Sequence, residues 1–451
     1  MPRPATRCGL AALVLLGAFW VTYVPDAGHG FLKDDFAWVA RSRVAAPGDL
    51  VRPFLHTRDF YRPLVHVTFA ADYAVWGDAP RGFGLTNVVL ATLVAAAVAV
   101  LARRLGLSAA ASLLAGSLWA FNFHGVNMAV LWLSGRTSLL STLLAVASAA
   151  MFLSGRLAAS SIAFFVALLA KEEPVALPAV FVATQALFRD RLPYTRVQVA
   201  LASAAPLAVH AWLRWRAGAF GPFTAPEFYR VTLDAGRLAR NAWEYTDRAA
   251  TTAVLVVLLA MLAVRRRPRL DPLTVRVYAF GALWAVAGYG ATLWLPSRSS
   301  LYAILPSVGT SIIAAAAVST IMRQAEPRTR VRVAAAALCL PLVLQPLYHR
   351  RNRQWVRLAD LSARVVAAVR AVDSEVPPGA TIVLVDDRSR SVNLAAVLGT
   401  LGDDMASLTL GREVHVWIEP PVAASHPARR PRPEETALVL RLADGAIRRV
   451  P

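Results

Sequence analysis

The chain has 451 residues, 57% of them hydrophobic, and a formal net charge of +20. Its mean hydropathy is +0.48 and its pI about 11.2. Soluble domains carry roughly 45–50% apolar residues, so this composition excludes an ordinary soluble globular protein. So basic a chain suggests nucleic acid as a partner, but no RNA- or DNA-binding motif occurs, and much of the charge is Arg placed in short breaks between apolar runs. That is the positive-inside pattern of a polytopic membrane protein, and no nucleic-acid partner is expected.

In chain order, apolar runs fall at about 9–24, 84–102, 108–122, 137–153, 157–170, 174–188, 196–213, 249–264, 276–295, 302–322 and 331–348. The first follows Arg3 and Arg7 and continues into Val21-Thr22-Tyr23-Val24-Pro25 without a small-x-small cleavage site. It therefore reads as an uncleaved first span and not as a signal peptide. A spanning helix needs roughly 20 apolar residues, and several runs are shorter than that. The runs lack the alternation of barrel strands, and backbone polar groups in hydrocarbon need partners within their own segment, so helices are predicted. Cys8 and Cys339 suggest neither a disulfide nor a metal-binding Cys/His cluster.

Arg counts orient the spans. With the N-terminus in the cytoplasm, the inner breaks hold Arg103-Arg104, Arg156, Arg189/Arg191/Arg196, Arg265-Arg266-Arg267/Arg269 and Arg323/Arg328/Arg330/Arg332. The short outer breaks hold only Arg136, Lys171 and Arg298. Three outer segments are long: Pro25 to Phe83, Arg214 to Asp247, and the tail from His349. The tail shows a helix-patterned piece (Trp355 to Val372), strand candidates at Thr381–Val385, Val414–Ile418 and Ala437–Leu442, and a linker from Pro420 to Pro433. The expectation is an all-α polytopic membrane module over residues 1–348, with about eleven spans, followed by a small α+β extracytoplasmic domain over 349–451. The outer loop 25–83 carries an acidic pair. The expected location is a bacterial plasma membrane, with the N-terminus in the cytoplasm and the C-terminal tail outside.

Five outer constellations could carry chemistry, because charges next to apolar spans are costly unless used. Asp34 and Asp35 follow Phe31-Leu32-Lys33; one could serve as a general base, or the pair could bind a divalent cation, or both could simply start a helix. Next, Tyr61-Arg62-Pro63 places an Arg where it could fix the carboxylates or stack on a substrate ring, although Pro alone explains a turn there. His124, Asn127 and Arg136 lie around Trp132-Leu133-Ser134-Gly135-Arg136. That Arg suits bidentate phosphate binding, or snorkels at the interface. Lys171-Glu172-Glu173 could bind a phosphate through a point charge, with Glu172 orienting it, or form a salt-bridged hairpin. Finally, Arg298-Ser299-Ser300-Leu301-Tyr302 offers a cation and hydroxyls at a tight turn. Lys33 and Lys171 are the only lysines in a chain that otherwise uses Arg, which suggests that these positions need a compact ammonium.

The order of these motifs, Asp-Asp after span one, then Tyr-Arg-Pro-Leu, Trp-x-x-Gly-Arg, Leu-Leu-Ala-Lys-Glu and Arg-x-x-Leu-Tyr-x-x-Leu-Pro-Ser, resembles the GT-C superfamily of membrane glycosyltransferases over about residues 10–322. Within it the set looks like the protein O-mannosyltransferase-like branch that includes the TMTC proteins. The resemblance implies hexosyl transfer from a polyprenyl-phosphate-linked sugar donor to an acceptor hydroxyl of protein, glycan or lipid, on the extracytoplasmic face. It implies an acidic base or acceptor-binding group at Asp34 or Asp35, and cations around the donor phosphate at Arg136, Lys171 and Arg298. Two departures stand out. The tail has no TPR repeats, and the acidic pair is Asp-Asp where classical protein mannosyltransferases have Asp-Glu, so use of a divalent metal is left open. The competing classes are a transporter or flippase, which should show mid-membrane charges and an internal repeat, and a non-catalytic envelope scaffold.

Overall fold

A computed structural model describes residues 4–57, 59–221, 225–264, 270–386, 392–419, 436–443 and 446–450. It opens with α1 (Pro4–Tyr23), followed by three short helices, α2 (Asp34–Arg41), α3 (Pro47–Leu55) and α4 (Pro63–Trp76). The bundle continues with α5 (Pro80–Arg104), α6 (Ala109–Ala120), the short α7 (Val126–Leu131), α8 (Arg136–Leu153), α9 (Leu157–Ala170) and α10 (Leu177–Leu187). It is completed by α11 (Arg196–Arg216), α12 (Ala235–Val264), α13 (Pro272–Gly288), α14 (Pro306–Arg323) and α15 (Pro327–Val343). Each of the eleven apolar runs lies largely on one of these helices. Those on α5, α8, α12 and α15 belong to helical stretches long and apolar enough to cross a bilayer by length and composition.

Local chemistry sets the helix starts. Pro occupies an opening position of α3, α4, α5, α13, α14 and α15, where its missing N–H costs nothing. Ser108 and Asp271 cap α6 and α13, and Thr195 with Gln198 forms a reciprocal capping box on α11. Close packing depends on small residues. A Cβ on Gly309 would lie 2.2 Å from the Gly281 carbonyl oxygen, so α13 and α14 cross at backbone contact. Two buried indoles fix the turn before α14: Trp119 and Trp284 donate to the Ile304 and Leu305 carbonyls.

Three boundaries differ from the sequence reading. The run at 276–295 leaves the helix at Gly288, and the run at 302–322 becomes α-helical only at Pro306, after a 3-10 turn over Ser300–Ala303. The run at 331–348 breaks at Leu344, just ahead of Pro346, where a new helix α16 (Gln345–Ala371) begins. That helix carries the chain through the boundary placed at 348/349.

The tail then forms β1 (Thr381–Asp386), α17 (Leu394–Leu398), α18 (Gly402–Leu410), β2 (His415–Glu419), β3 (Thr436–Ala443) and β4 (Ala446–Val450). The sheet order is β2-β1-β3-β4. The strand β1 pairs in parallel with β2 and β3, with Val383 opposite both Trp417 and Val439, and β4 closes the edge antiparallel to β3. The linker at 420–433 lies outside the described residues. One apolar core joins this domain to the first loop of the bundle: Phe31, Leu32 and Phe36 pack with Leu361, Val365, Val397 and Met405. The chain is thus an all-α polytopic membrane fold with a small α/β unit near its C-terminus.

Candidate active site

A cavity of about 670 Å³ opens at the end of the bundle that carries α2–α4. It gathers Lys33, Asp34, Arg62, Lys171, Glu172, Arg298 and Tyr302 from sequence positions more than 260 residues apart. Both lysines of the chain line it. Its remaining walls include Trp38, Ser134, Glu173, His210, Arg214, Tyr229 and Trp294.

The acidic pair is divided between two environments. Asp35 is fully buried. One carboxylate oxygen accepts the Leu32 N–H at 2.8 Å, and the other accepts the Ser134 N–H and hydroxyl at 2.6 and 2.5 Å. Burial pushes its pKa up to about 7, with the Ser134 and Leu32 donors working in the opposite direction. Asp34 begins α2 on the exposed side and lines the cavity. The surrounding walls desolvate it and raise its pKa, while the Arg62 guanidinium pulls it down. The residue before it, Lys33, has φ 49° and ψ −119° and is the one non-glycine residue with positive φ among those described. Such a backbone costs on the order of 1–3 kcal/mol and persists only where the surroundings impose it.

Arg62 and Glu172 form a forked pair across the cavity wall, with Nη2 to Oε1 at 2.8 Å and Nε to Oε2 at 3.3 Å. The guanidinium also lies 4.5 Å from the centroid of the Phe60 ring. Burial works against ionisation of both groups, but their mutual attraction prevails. It raises the Arg62 pKa and holds the Glu172 carboxyl at about 2. Lys171 is almost fully buried, pairs with Glu173, and donates to the Ser138 hydroxyl at 2.7 Å. Its ammonium sits 5.3 Å from the centroid of Tyr302. Arg298 pairs with Glu244 at the rim. Arg214, which the sequence reading treated only as the start of a loop, adds a further cation from the end of α11. His210 lies one helical turn before it.

Besides the buried Asp35, four expected site residues do not line the cavity. Arg136 is fully buried and is not among the residues that line the cavity. It pairs with Asp72 and donates to Asn87 Oδ1 at 3.0 Å, to the Thr68 carbonyl at 3.2 Å and to the Phe83 carbonyl at 3.1 Å. Its guanidinium is further packed 4.4 Å from the centroid of Phe69. Every nitrogen is committed to the protein, so none is directed at a phosphate. Tyr61 is buried and donates to the Phe54 carbonyl at 3.1 Å. His124 and Asn127 flank the start of α7 and do not line the cavity, although Met128 on the same helix does. Among the described residues, no group of three or more His, Cys, Asp or Glu side chains is arranged to hold a metal ion.

A second cavity of about 800 Å³ adjoins the first and shares Trp38, Phe60 and Arg62 with it. Its lining is more polar than that of the first and includes Arg41, Arg52, His56 and His66. Leu207 and Ala211 of α11 also line the first cavity. Helix α11 packs on α9 and α10, and α12 packs on α14; no extensive packing joins α11 to α12 among the described residues. The arrangement is an acid facing a cation-lined chamber with a second cavity beside it.

No protein-family model matches the chain, and no curated protein does. Solved structures do share its architecture. The chain is similar to ArnT from Cupriavidus metallidurans bound to undecaprenyl phosphate, with a TM-score of 0.53 and 13% identity, over 90% of this chain and 86% of that one. It is similar to the same protein in the apo state at a TM-score of 0.53 and 14% identity, over 97% and 94% of the two chains. The chain thus shares the polytopic membrane fold of ArnT.

Proposed function

We propose that this protein is a membrane glycosyltransferase that moves a sugar from a polyprenyl-phosphate-linked donor to an acceptor hydroxyl on the extracytoplasmic face. The observation that carries the reading is the placement of Asp34 in one chamber with Lys171, Arg214 and Arg298. The undecaprenyl phosphate bound to ArnT, which has the same fold, supports a donor of that class. So do the apolar Leu207 and Ala211 of α11 in the chamber wall, where the polyprenyl chain would lie.

In the proposed reaction the acceptor O–H loses its proton to the Asp34 carboxylate. The acceptor oxygen bonds to the anomeric carbon, and the bond from that carbon to the lipid phosphate breaks, its electron pair leaving with the phosphate. Attack opposite the leaving group inverts the anomeric centre. Charge grows on the departing phosphate, and preorganised cations in a water-poor chamber stabilise it. Asp35 holds the Ser134 turn against α2 and acts by positioning Asp34. The polar second cavity gives the acceptor an approach from the side of Trp38 and Phe60. The O-mannosyltransferase-like branch belongs to the same proposal and rests on the ordered motifs; the acceptor is a hydroxyl of protein, glycan or lipid.

Binding of undecaprenyl phosphate to the purified protein in nanodiscs tests the donor side. Wild type should bind it, and Lys171→Gln should bind at least about tenfold more weakly if a charge-assisted contact of roughly 1.5–3 kcal/mol is lost. Equal binding by both proteins would remove Lys171 from the donor site.

A further inference from the structure

We infer that the C-terminal domain is a clamp that holds the Lys33-Asp34-Asp35 segment in its working conformation, through Ser362 of α16 and Val397 of α17. The catalytic consequence rests on the transferase reading; the clamp itself rests on geometry.

Hydrogen bonds fix three successive residues ahead of the acidic pair. The Phe31 carbonyl accepts the Ser362 hydroxyl at 2.5 Å. The Leu32 carbonyl accepts the Trp132 indole N–H at 3.2 Å, and that indole stacks on Trp355 of α16, with centroids 6.2 Å apart and planes 8° apart. The Lys33 N–H donates to the Val397 carbonyl at 2.9 Å. Just upstream, a Cβ on Gly30 would come within 2.3 Å of the Ala359 carbonyl oxygen, so the loop backbone lies directly on α16.

These bonds converge on the strained residue. A lysine at φ 49° left to itself would relax toward negative φ. Because the α2 axis begins at the next residue, that rotation would swing the Asp34 carboxylate relative to Lys171 and Arg214. Two of the three bonds come from residues after 349, the third is buttressed from there, and Ser362 is fully buried. The tail domain therefore completes the site without lining much of it. Ser362 and Val397 are positioning residues.

The test combines hydrogen–deuterium exchange of the nanodisc-embedded protein with transfer kinetics on a polyprenyl-phosphate-linked sugar. Ser362→Ala should speed exchange across residues 30–36, leave exchange in α5 and α8 unchanged, and lower kcat about fivefold, the worth of one hydrogen bond, with donor KM unchanged. A glycine tolerates positive φ, so the same substitution in a Lys33→Gly background should cost about twofold or less. An equal loss in both backgrounds, or unchanged exchange across 30–36, overturns the clamp. Asp34→Asn separates the two claims. A wild-type rate for Asp34→Asn removes the transferase reading while exchange still decides the clamp. An inactive Asp34→Asn beside an unaltered Ser362→Ala removes the clamp alone.

Discussion

Arg136 and Lys171 both stand at the mouth of an apolar helix, and both are almost completely buried, yet they do different things. Arg136 meets Asp72, Asn87, two carbonyls and an aromatic face, and touches no open space. Lys171 has Glu173 and Ser138 beside it and still borders the main cavity. Burial of a charge is therefore not the mark of a ligand site. The mark is a charge whose partners leave one side facing a chamber. Arg136 joins α8 to α4 and α5, and Asn87, which it orients, also donates to the Leu133 carbonyl at 3.1 Å. The strut thereby supports the turn that presents Ser134 to Asp35.

The comparison breaks most readily at Arg136. Arg136→Met leaves the Asp72 carboxylate buried without its partner, and removal of one member of a buried pair typically costs about 3–5 kcal/mol. The expected result is a large drop in thermal stability in detergent, with activity lost in proportion to folded protein. If Arg136→Met folds normally and loses only donor binding, the two cations are alike after all. At Lys171 the expected pattern is the reverse. Burial already raises the pKa of Glu173, which can take up a proton once its partner is gone, so Lys171→Gln should reach the membrane and lose on the order of 10²–10³ in transfer rate, as when one preorganised charge-stabilising donor is removed.

The contrast between the two carboxylates gives a smaller, pH-dependent effect. Asp35 has a folded-state pKa of about 7, well above the roughly 3.9 of an unfolded Asp. Its contribution to stability is therefore full below about pH 4 and is lost as pH rises toward 7, because the unfolded chain releases the proton more readily. Melting temperature followed across that window should fall with pH in wild type, and the slope should shrink in Asp35→Asn. Activity should run the other way, rising with pH as Asp34 ionises, over a limb displaced above the ordinary carboxylate range. The smallest effect is expected at Tyr61. Tyr61→Phe removes one hydrogen bond to the Phe54 carbonyl, about 1 kcal/mol, and should leave transfer kinetics unaltered.

Much of this molecule was legible in its sequence because membranes impose long apolar runs. The runs located the bundle helices, and three alternating segments located β1, β2 and β3. The strand β4 was missed because Ala-Ile-Arg-Arg-Val carries two adjacent arginines on an edge, where neither face reads as core. The continuity of α16 across the tail boundary was missed because Tyr348-His349-Arg350 looks like a span end in composition. Lys33, Asp34, Arg62, Lys171, Glu172, Arg298 and Tyr302, singled out in the outer loop and the short outer breaks, line one cavity. Position could not separate Arg136 from Lys171, since Asp72 and Asn87 reach Arg136 only through the packing of α4 and α5 on α8. It also passed over His210 and Arg214, one turn apart near the end of α11. Their i, i+4 spacing was the available signal.

The central claim is that Asp34, and not its buried neighbour, faces the reacting atoms. Glycoconjugate profiling of a deletion strain carrying wild type, Asp34→Asn or Asp35→Asn tests it directly. The account requires a glycoconjugate that disappears in the deletion, returns with wild type, and stays absent with Asp34→Asn present in the membrane at wild-type level, while Asp35→Asn restores part of it. Full restoration by Asp34→Asn would contradict the account and return the chamber to a transport or scaffold role.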